Sequence, residues 1–281
     1  MTENTKRVVL ITGASSGIGQ ACAQHLHQKG YQVYGTSRKA PARPSKKSQQ
    51  KNTMDFPMLR MDIDSDRSVR EGIEYILKKE GRIDVVVNNA GWGFAGSIED
   101  TRPDEARALF ETNLWGVVRI CREILPGMRN QRSGYIVNIS SVAGLIAVPF
   151  QGIYSAAKFA LEGLTEALSM EVRPFGVHVV LVEPGDCTTQ FTANRCRTAD
   201  SQQNQAYTER CNTAVEVMEH DETCGMSPYK VARLLERIIR NPRPRLRYKV
   251  GAVSQRLAAA LKKILPGRLF ERIIMLYYKI A

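Results

Sequence analysis

The 281-residue chain is 43% apolar and 24% charged, a balance that suits a soluble globular protein with a sizeable core. No apolar run approaches the roughly 18 residues needed to span a membrane, and no secretory leader precedes the first apolar strand, so a cytoplasmic protein is expected. The net charge of +12 is not read as a nucleic-acid signal, because fourteen Lys/Arg and only two acids lie between Lys230 and Ala281, the rest is balanced, and no base-reading motif accompanies the charge.

In chain order, short β-branched runs alternate with longer helical stretches. Arg7–Ile11 reads as a buried strand, Gly17–Gly30 as the helix after it, and Tyr31–Gly35 and Pro57–Met61 as the next two strands. Ser65–Glu80 has helical spacing, with Val69, Ile73, Ile76 and Leu77 on one face. Ile83–Val87 is apolar almost throughout, as expected of a strand in a sheet covered on both faces. One long helix is predicted over Pro103–Arg129, opened by Pro103 just inside its start. A strand at Tyr135–Ile139, a helix at Gly152–Arg173 stopped by Pro174, and a strand at Val177–Val182 follow. Pro228–Arg240 reads as a helix and Arg245–Gly251 as a last strand.

Two stretches interrupt this pattern. Residues 38–54 are basic and free of acids, and read as a loop. Residues 186–225 are polar and longer than a simple connector, and read as a lid over an active site. The alternation implies right-handed β-α-β crossovers and a parallel sheet, hence one doubly wound Rossmann-type α/β domain over residues 1–251. Residues 252–281 form a basic extension, with Leu257, Leu261, Ile264 and Leu265 edged by Arg256, Lys262 and Lys263, a break at Pro266-Gly267, and apolar Leu269–Ile280. Such a helix pair can cover the substrate cleft or a neighbouring subunit, or make peripheral contact with an anionic membrane.

The first strand runs into Thr12-Gly13-Ala14-Ser15-Ser16-Gly17-Ile18-Gly19 and then a helix. Glycines allow a tight turn and close backbone approach, so the helix amides can face a pyrophosphate; the alternative is an ordinary glycine turn. An NAD-type site carries an acid about 20 residues further on, for the ribose hydroxyls. Here no Asp or Glu stands between Gly19 and Asp55, and the second strand ends on Thr36, Ser37 and Arg38, followed by Lys39 and Arg43. A guanidinium there suits a 2′-phosphate, so NADP(H) is expected rather than NAD(H).

Tyr154 and Lys158 share a helix face. A free phenol, with a pKa of about 10, is a poor proton-transfer group at neutral pH, and a neighbouring ammonium is expected to lower that value. The same spacing recurs at Tyr75 and Lys79, on what reads as a solvated helix away from the expected strand ends. Tyr154 instead follows a strand that ends at Ser140-Ser141. Six cysteines without a CxxC pair and four histidines without ligand spacing point to reduced thiols and no metal site, and Cys187 reads as a pocket-lining thiol.

Taken together, TGASSGIG at Thr12–Gly19, NNAG at Asn88–Gly91, Asn113, Ser141, YSAAK at Tyr154–Lys158 and PGDCTT at Pro184–Thr189 resemble the classical short-chain dehydrogenase/reductase family over about residues 6–190. The resemblance implies an NADP(H)-dependent oxidoreductase that moves a hydride between nicotinamide and a carbonyl or secondary alcohol, on a sheet whose seventh strand is Arg245–Gly251. It implies that Tyr154 is the general acid in reduction or base in oxidation, that Lys158 holds the nicotinamide ribose and depresses the tyrosine pKa, and that Ser141 hydrogen-bonds the substrate oxygen. Asn113 would hold a water linking Lys158 to a proton relay, or else satisfy a helix bend.

By the same resemblance, Gly13, Ser15, Ser16, Gly17, Ile18 and Gly19 would line the pyrophosphate. Ser37 and Arg38 would meet the ribose phosphate, and Asp62 with Ile63 the adenine. Asn89, Ala90 and Gly91 would pass close to the cofactor, while Pro184, Gly185 and Thr189 shape the nicotinamide side. The stretch NNAGWGFAG and the extended C-terminus resemble hydroxysteroid- and retinol-type members, which implies a bulky apolar substrate such as a steroid, retinoid or ketone, and a homodimer or homotetramer. The enzymatic rival is a 3-oxoacyl carrier-protein reductase whose basic tail docks an acidic carrier. The rival from another class is a non-catalytic NADP(H)-sensing protein, against which the intact Asn113, Ser141, Tyr154 and Lys158 set speaks.

Overall fold

The computed structural model describes residues 6–41 and 54–281; Arg43 and most of the loop expected over residues 38–54 lie outside them. The first half comprises β1 (Val8–Ile11), α1 (Gly17–Gln28), β2 (Gln32–Ser37), β3 (Met58–Arg60), α2 (Asp66–Glu80) and β4 (Val85–Asn88). The second comprises β5 (Phe94–Ala95), α3 (Pro103–Phe110), α4 (Gly116–Gln131), β6 (Gly134–Ile139), α5 (Gly152–Val172) and β7 (Val177–Pro184). After it come β8 (Cys196–Arg197), α6 (Gln205–Thr223), α7 (Tyr229–Arg240), β9 (Arg247–Val250), α8 (Val253–Leu261) and α9 (Gly267–Tyr277).

Seven of these strands form one parallel sheet in the order β3-β2-β1-β4-β6-β7-β9. Successive strand residues point to opposite faces, and both faces are covered, which is why VVLI and VVVN carry no polar alternation. Val9, Ile11, Val85 and Val87 pack with Leu26 of α1 and Leu235 and Ile238 of α7 on one side. Val8, Leu10 and Val86 pack with Ile73 of α2, Ile120 of α4 and Leu161 of α5 on the other. Strand order reverses between β1 and β4, and because all strands run the same way, the segments after β1, β2, β4, β6 and β7 meet at one edge. That crevice is where doubly wound sheets bind ligands.

One expectation is corrected, and two others gain structural detail. The long helix over Pro103–Arg129 is two helices joined by a π-helical turn, Glu111–Trp115, in which the Gly116 amide donates to the Glu111 carbonyl. The widened turn places Asn113 beside the segment after β4, and Gly116 lies so close to Ile63 that a Cβ there would meet its Cδ1 at 2.7 Å. The stretch expected as a lid has regular structure of its own. It carries the 19-residue helix α6, whose buried face is Cys211, Ala214, Val215 and Met218, and β8, which pairs with β5 in a separate two-stranded sheet. Of the positions left open for the C-terminal extension, the last two helices take the one over the crevice edge of their own chain, where Ala259 and Phe270 cover Ile146, and Ile280 joins Ala95 and α6.

Candidate active site

The glycine turn is held from below by the end of β4. Thr12 Oγ1 accepts from the amides of Asn89 and Ala90, each at 3.0 Å, and Asn89 Nδ2 donates to the carbonyls of Thr12 at 2.9 Å and Gly13 at 3.1 Å. Gly13 has φ +65°, and a Cβ on it would lie 2.8 Å from Ala90 Cα; one on Gly19 would lie 2.4 Å from Asn89 Nδ2. Both positions therefore require glycine. Ser16 precedes α1 in extended conformation without capping it through its side chain, so the first amides of the helix point into the crevice without that partner. Thr189, after β7, approaches Gly17, and both line an open pocket of about 360 Å³ together with Gln20, Ala21, Thr188 and Tyr229. Ser15 and Ile18 complete the turn.

At the neighbouring edge, Ser37 ends β2 and its hydroxyl accepts from the Lys39 amide at 3.2 Å, while Arg38 is exposed. Arg38 lies within electrostatic reach of Asp64, whose carboxyl burial pushes up and whose partner is the Thr112 hydroxyl at 2.9 Å. Asp62 accepts from the Asp64 amide at 3.2 Å, and Ile63 is buried beneath the π-turn. These residues fit a dinucleotide: uncapped helix amides, a glycine turn that admits close approach, and a cation at the tip of β2.

Ser141, Tyr154 and Lys158 come together where β6 and α5 meet. Ser141 opens a short 3-10 turn, Val142–Gly144, and accepts from the Ala143 amide at 3.1 Å, which leaves its own proton to donate. Lys158 is buried, donates to the Ile139 carbonyl at 2.9 Å and stands 5.7 Å from the centre of the Tyr154 ring. Phe191 packs against the other side of that ring, with centroids 5.7 Å apart.

The electrostatics overturn one expectation. Burial pushes the Tyr154 phenol up to about 12, against the pull of a hydrogen bond from Ser141, and Lys158 does not bring it down. Burial acts on the lysine too, lowering it to about 8 although Glu162 opposes the shift. Desolvation penalises both charged forms, so the buried pair stays as phenol and a weakened ammonium.

Asn113 is buried, and both ends of its side-chain amide are held by Trp92: Oδ1 accepts from the Trp92 amide at 3.1 Å and Nδ2 donates to its carbonyl at 2.9 Å. The side chain therefore fastens the π-turn to the segment carrying Gly91. The Tyr75 and Lys79 pair goes elsewhere: Lys79 lies 5.4 Å over the Tyr34 ring, and Tyr75 lines a surface groove between β3 and α2.

Several site residues were not foreseen. Arg195 of the lid is buried, stacks 5.9 Å over Phe191 and pairs with Glu222 of α6, whose other oxygen accepts from Thr192 at 2.5 Å. Asp186 is pushed up to about 6, first by burial and then by Asp221 and Glu222. Gln255 of α8 donates to the Asp186 carboxylate and accepts from its amide at 3.2 Å, lying against Gly185 at the end of β7 after Pro184. Cys187, expected to line the pocket, is instead buried in the core beneath this segment, its thiol pushed up to about 12 by burial. Only Asp186 lies within a recognised motif, PGDCTT; Arg195, Glu222 and Gln255 lie in stretches without a local signal.

The family model described as short chain dehydrogenase matches residues 7–200. The chain is 41% identical to a 3-ketodihydrosphingosine reductase of Bacteroides thetaiotaomicron, over 98% of each chain. It is 34% identical to retinol dehydrogenase 8 of Bos taurus, over 95% of this chain and 88% of that one. A crystal structure of a short-chain dehydrogenase from Streptomyces avermitilis superposes with a TM-score of 0.80 at 31% identity, covering 94% of each chain. With the glycine turn, the sheet and the tyrosine–lysine pair in this arrangement, the chain belongs to the short-chain dehydrogenase/reductase family and is an oxidoreductase acting on alcohol or ketone groups.

Proposed function

We propose that the protein is an NADP(H)-dependent reductase of a long-chain ketone bearing an amine beside the carbonyl. The observation that carries the reaction is the meeting of Ser141, Tyr154 and Lys158 at the sheet edge, next to the uncapped start of α1. A nicotinamide cofactor, which the glycine turn and the start of α1 would hold, would supply the hydride for the carbonyl carbon. Ser141 donates to the carbonyl oxygen, on which negative charge grows. Tyr154 passes its proton to that oxygen as the C=O bond becomes C–OH, and the Lys158 ammonium holds the phenolate left behind until solvent returns a proton. Asn113 acts as a positioning residue through Trp92.

Two features support the substrate. Trp92, Phe94, Val148 and Phe191 line the tyrosine with apolar surface suited to an alkyl chain. Asp186, Asp221 and Glu222 outnumber the single buried guanidinium of Arg195, and this surplus negative charge is felt at Tyr154 and Asp186. A cationic amine next to the reacting carbonyl would relieve it, whereas a neutral steroid, retinoid or acyl thioester would not. The similarity to a 3-ketodihydrosphingosine reductase points the same way. A homodimer or homotetramer would cover exposed apolar side chains such as Trp115 and Met170.

The test is NADPH oxidation with a long-chain 2-amino-3-ketone, its analogue lacking the amine, a ketosteroid, retinal and a 3-oxoacyl thioester. The amino ketone is expected to show the highest kcat/KM. Equal rates with and without the amine would remove the role of the acidic cluster, and no turnover of any of the five would remove the reductase reading.

Arg38 and Ser37, with no acid on β2, support NADP(H). Arg38→Ala is expected to weaken NADPH by roughly ten- to a hundredfold, the loss of one charge-assisted hydrogen bond of about 1.5–3 kcal/mol, and to leave NADH unchanged. Equal weakening of both cofactors in a fluorescence titration would assign Arg38 a structural role instead.

A further inference from the structure

We propose that the outer face of α8 and α9 docks on the surface of an anionic phospholipid bilayer. The two helices are two-sided. Inward, Ala259, Phe270 and Ile280 are buried, Lys262 donates to the Leu145 carbonyl at 2.7 Å, and the Tyr277 hydroxyl donates to Asp221 at 2.5 Å. Outward, Val253, Leu257 and Leu261 recur at every fourth residue of α8, Leu269 and Leu276 continue the exposed face on α9, and Ile264 between the helices is 77% exposed. A soluble surface scatters such side chains singly; here three line one face of α8, with further exposed apolar residues following at Ile264 and on α9.

Charge selects the occupant. Besides the inward-bound Lys262, residues 253–281 carry Arg256, Lys263, Arg268, Arg272 and Lys279 against the single acid Glu271, and these six are exposed. A second copy meeting this face through its own would bring like charges together, whereas an anionic lipid surface pairs with them and accepts the leucines between its headgroups. Among the described residues no helix is long and apolar enough to cross a membrane, so the contact is superficial.

Position gives the contact a use. The inner faces of the same helices rest on the turn that begins at Ser141 and on Asp186, so docking sets the rim of the cleft against the lipid. A long-chain substrate then reaches the site without leaving an apolar phase. This inference stands on the helix surface and holds whichever ketone is reduced.

Co-sedimentation of the full chain with phosphatidylcholine vesicles, with and without phosphatidylglycerol, tests it. Wild type is expected to pellet only with the anionic vesicles, and progressively less as salt screens the attraction over about 8 Å at physiological ionic strength. Leu257→Glu, Ile264→Glu and Leu276→Glu combined should lower partitioning at least about tenfold with an unchanged melting temperature, because these side chains are exposed. Wild type that stays in the supernatant with anionic vesicles at low salt overturns the proposal. So does a combined variant that pellets like wild type, or light scattering showing a dimer that the variant splits. A variant with a lowered melting temperature is replaced by Lys263→Glu with Arg268→Glu, for which the same loss is expected and whose retention of binding overturns the proposal equally.

Discussion

Tyr154→Phe is expected to lower kcat for ketone reduction by about 10²–10⁴-fold and to leave cofactor affinity unchanged, because the ring, its contact with Phe191 and its place beside Lys158 survive while the proton does not. Stopped-flow NADPH oxidation with a confirmed ketone measures the first quantity and a fluorescence titration the second. Tyr75→Phe is the matched control, since Tyr75 lies away from the sheet edge. Wild-type turnover in the Tyr154 variant would move the proton source elsewhere.

The pH profile of the intact enzyme identifies which member of the pair limits it. Tyr154 keeps its proton up to about 12, so the acid required for reduction is present throughout the physiological range. Lys158, lowered to about 8, is an ammonium at neutral pH and loses its charge as pH rises through that value. The phenolate formed on proton transfer then lacks its counter-charge, so kcat/KM for reduction falls above about pH 8. A profile flat from neutrality to about pH 10 would contradict this role of Lys158.

Arg247→Met has the largest expected effect on stability. Arg247, at the start of β9, pairs with Glu162 on α5, with Glu183 on β7 at 2.7 Å and with Glu166 at 2.6 Å. Glu183 is fully buried and Glu162 nearly so, whereas Glu166 is half exposed and contributes little. Methionine preserves the bulk and strands two buried carboxylates, a loss of about 3–5 kcal/mol, or on the order of 10 °C in Tm for a chain of this size. Burial raises the Glu162 pKa and Arg247 lowers it, so removing the cation raises it further. A carboxyl whose folded pKa is raised destabilises the fold once ionised, so the deficit is full at neutral pH and shrinks as acid protonates Glu162. Denaturant melts at pH 7 and near pH 5 measure both effects, and a variant within about 1 kcal/mol of wild type at pH 7 would show the cluster to be solvated.

What the sequence made legible is what local spacing encodes. The glycine turn, the tyrosine four residues before its lysine and the uninterrupted apolar strands each declare themselves within a few residues, and the sheet follows from their alternation. The π-turn does not, because it is shaped by Asn113 reaching the main chain of Trp92, 21 residues away. Helix α6 has its buried residues at helical spacing, but its polar, Thr-rich composition hides them. Arg195, Glu222 and Gln255 acquire their places only through tertiary contacts. The tyrosine pKa shows the limit most clearly: the neighbouring lysine argued for a fall, and burial, which a sequence does not display, produced a rise.

The hold of Gln255 on Asp186 also orders the protein in time. Asp186 waits 69 residues for the glutamine that binds it, while Thr12, Asn89 and the start of α1 meet as soon as β4 is made. On a growing chain the nucleotide half can therefore assemble first, and the substrate rim is the last part to join. A chain cut between β9 and α8 is expected to keep its grip on the dinucleotide yet uncover Ile146 and the turn that begins at Ser141, so that loss of these helices would separate cofactor binding from productive turnover.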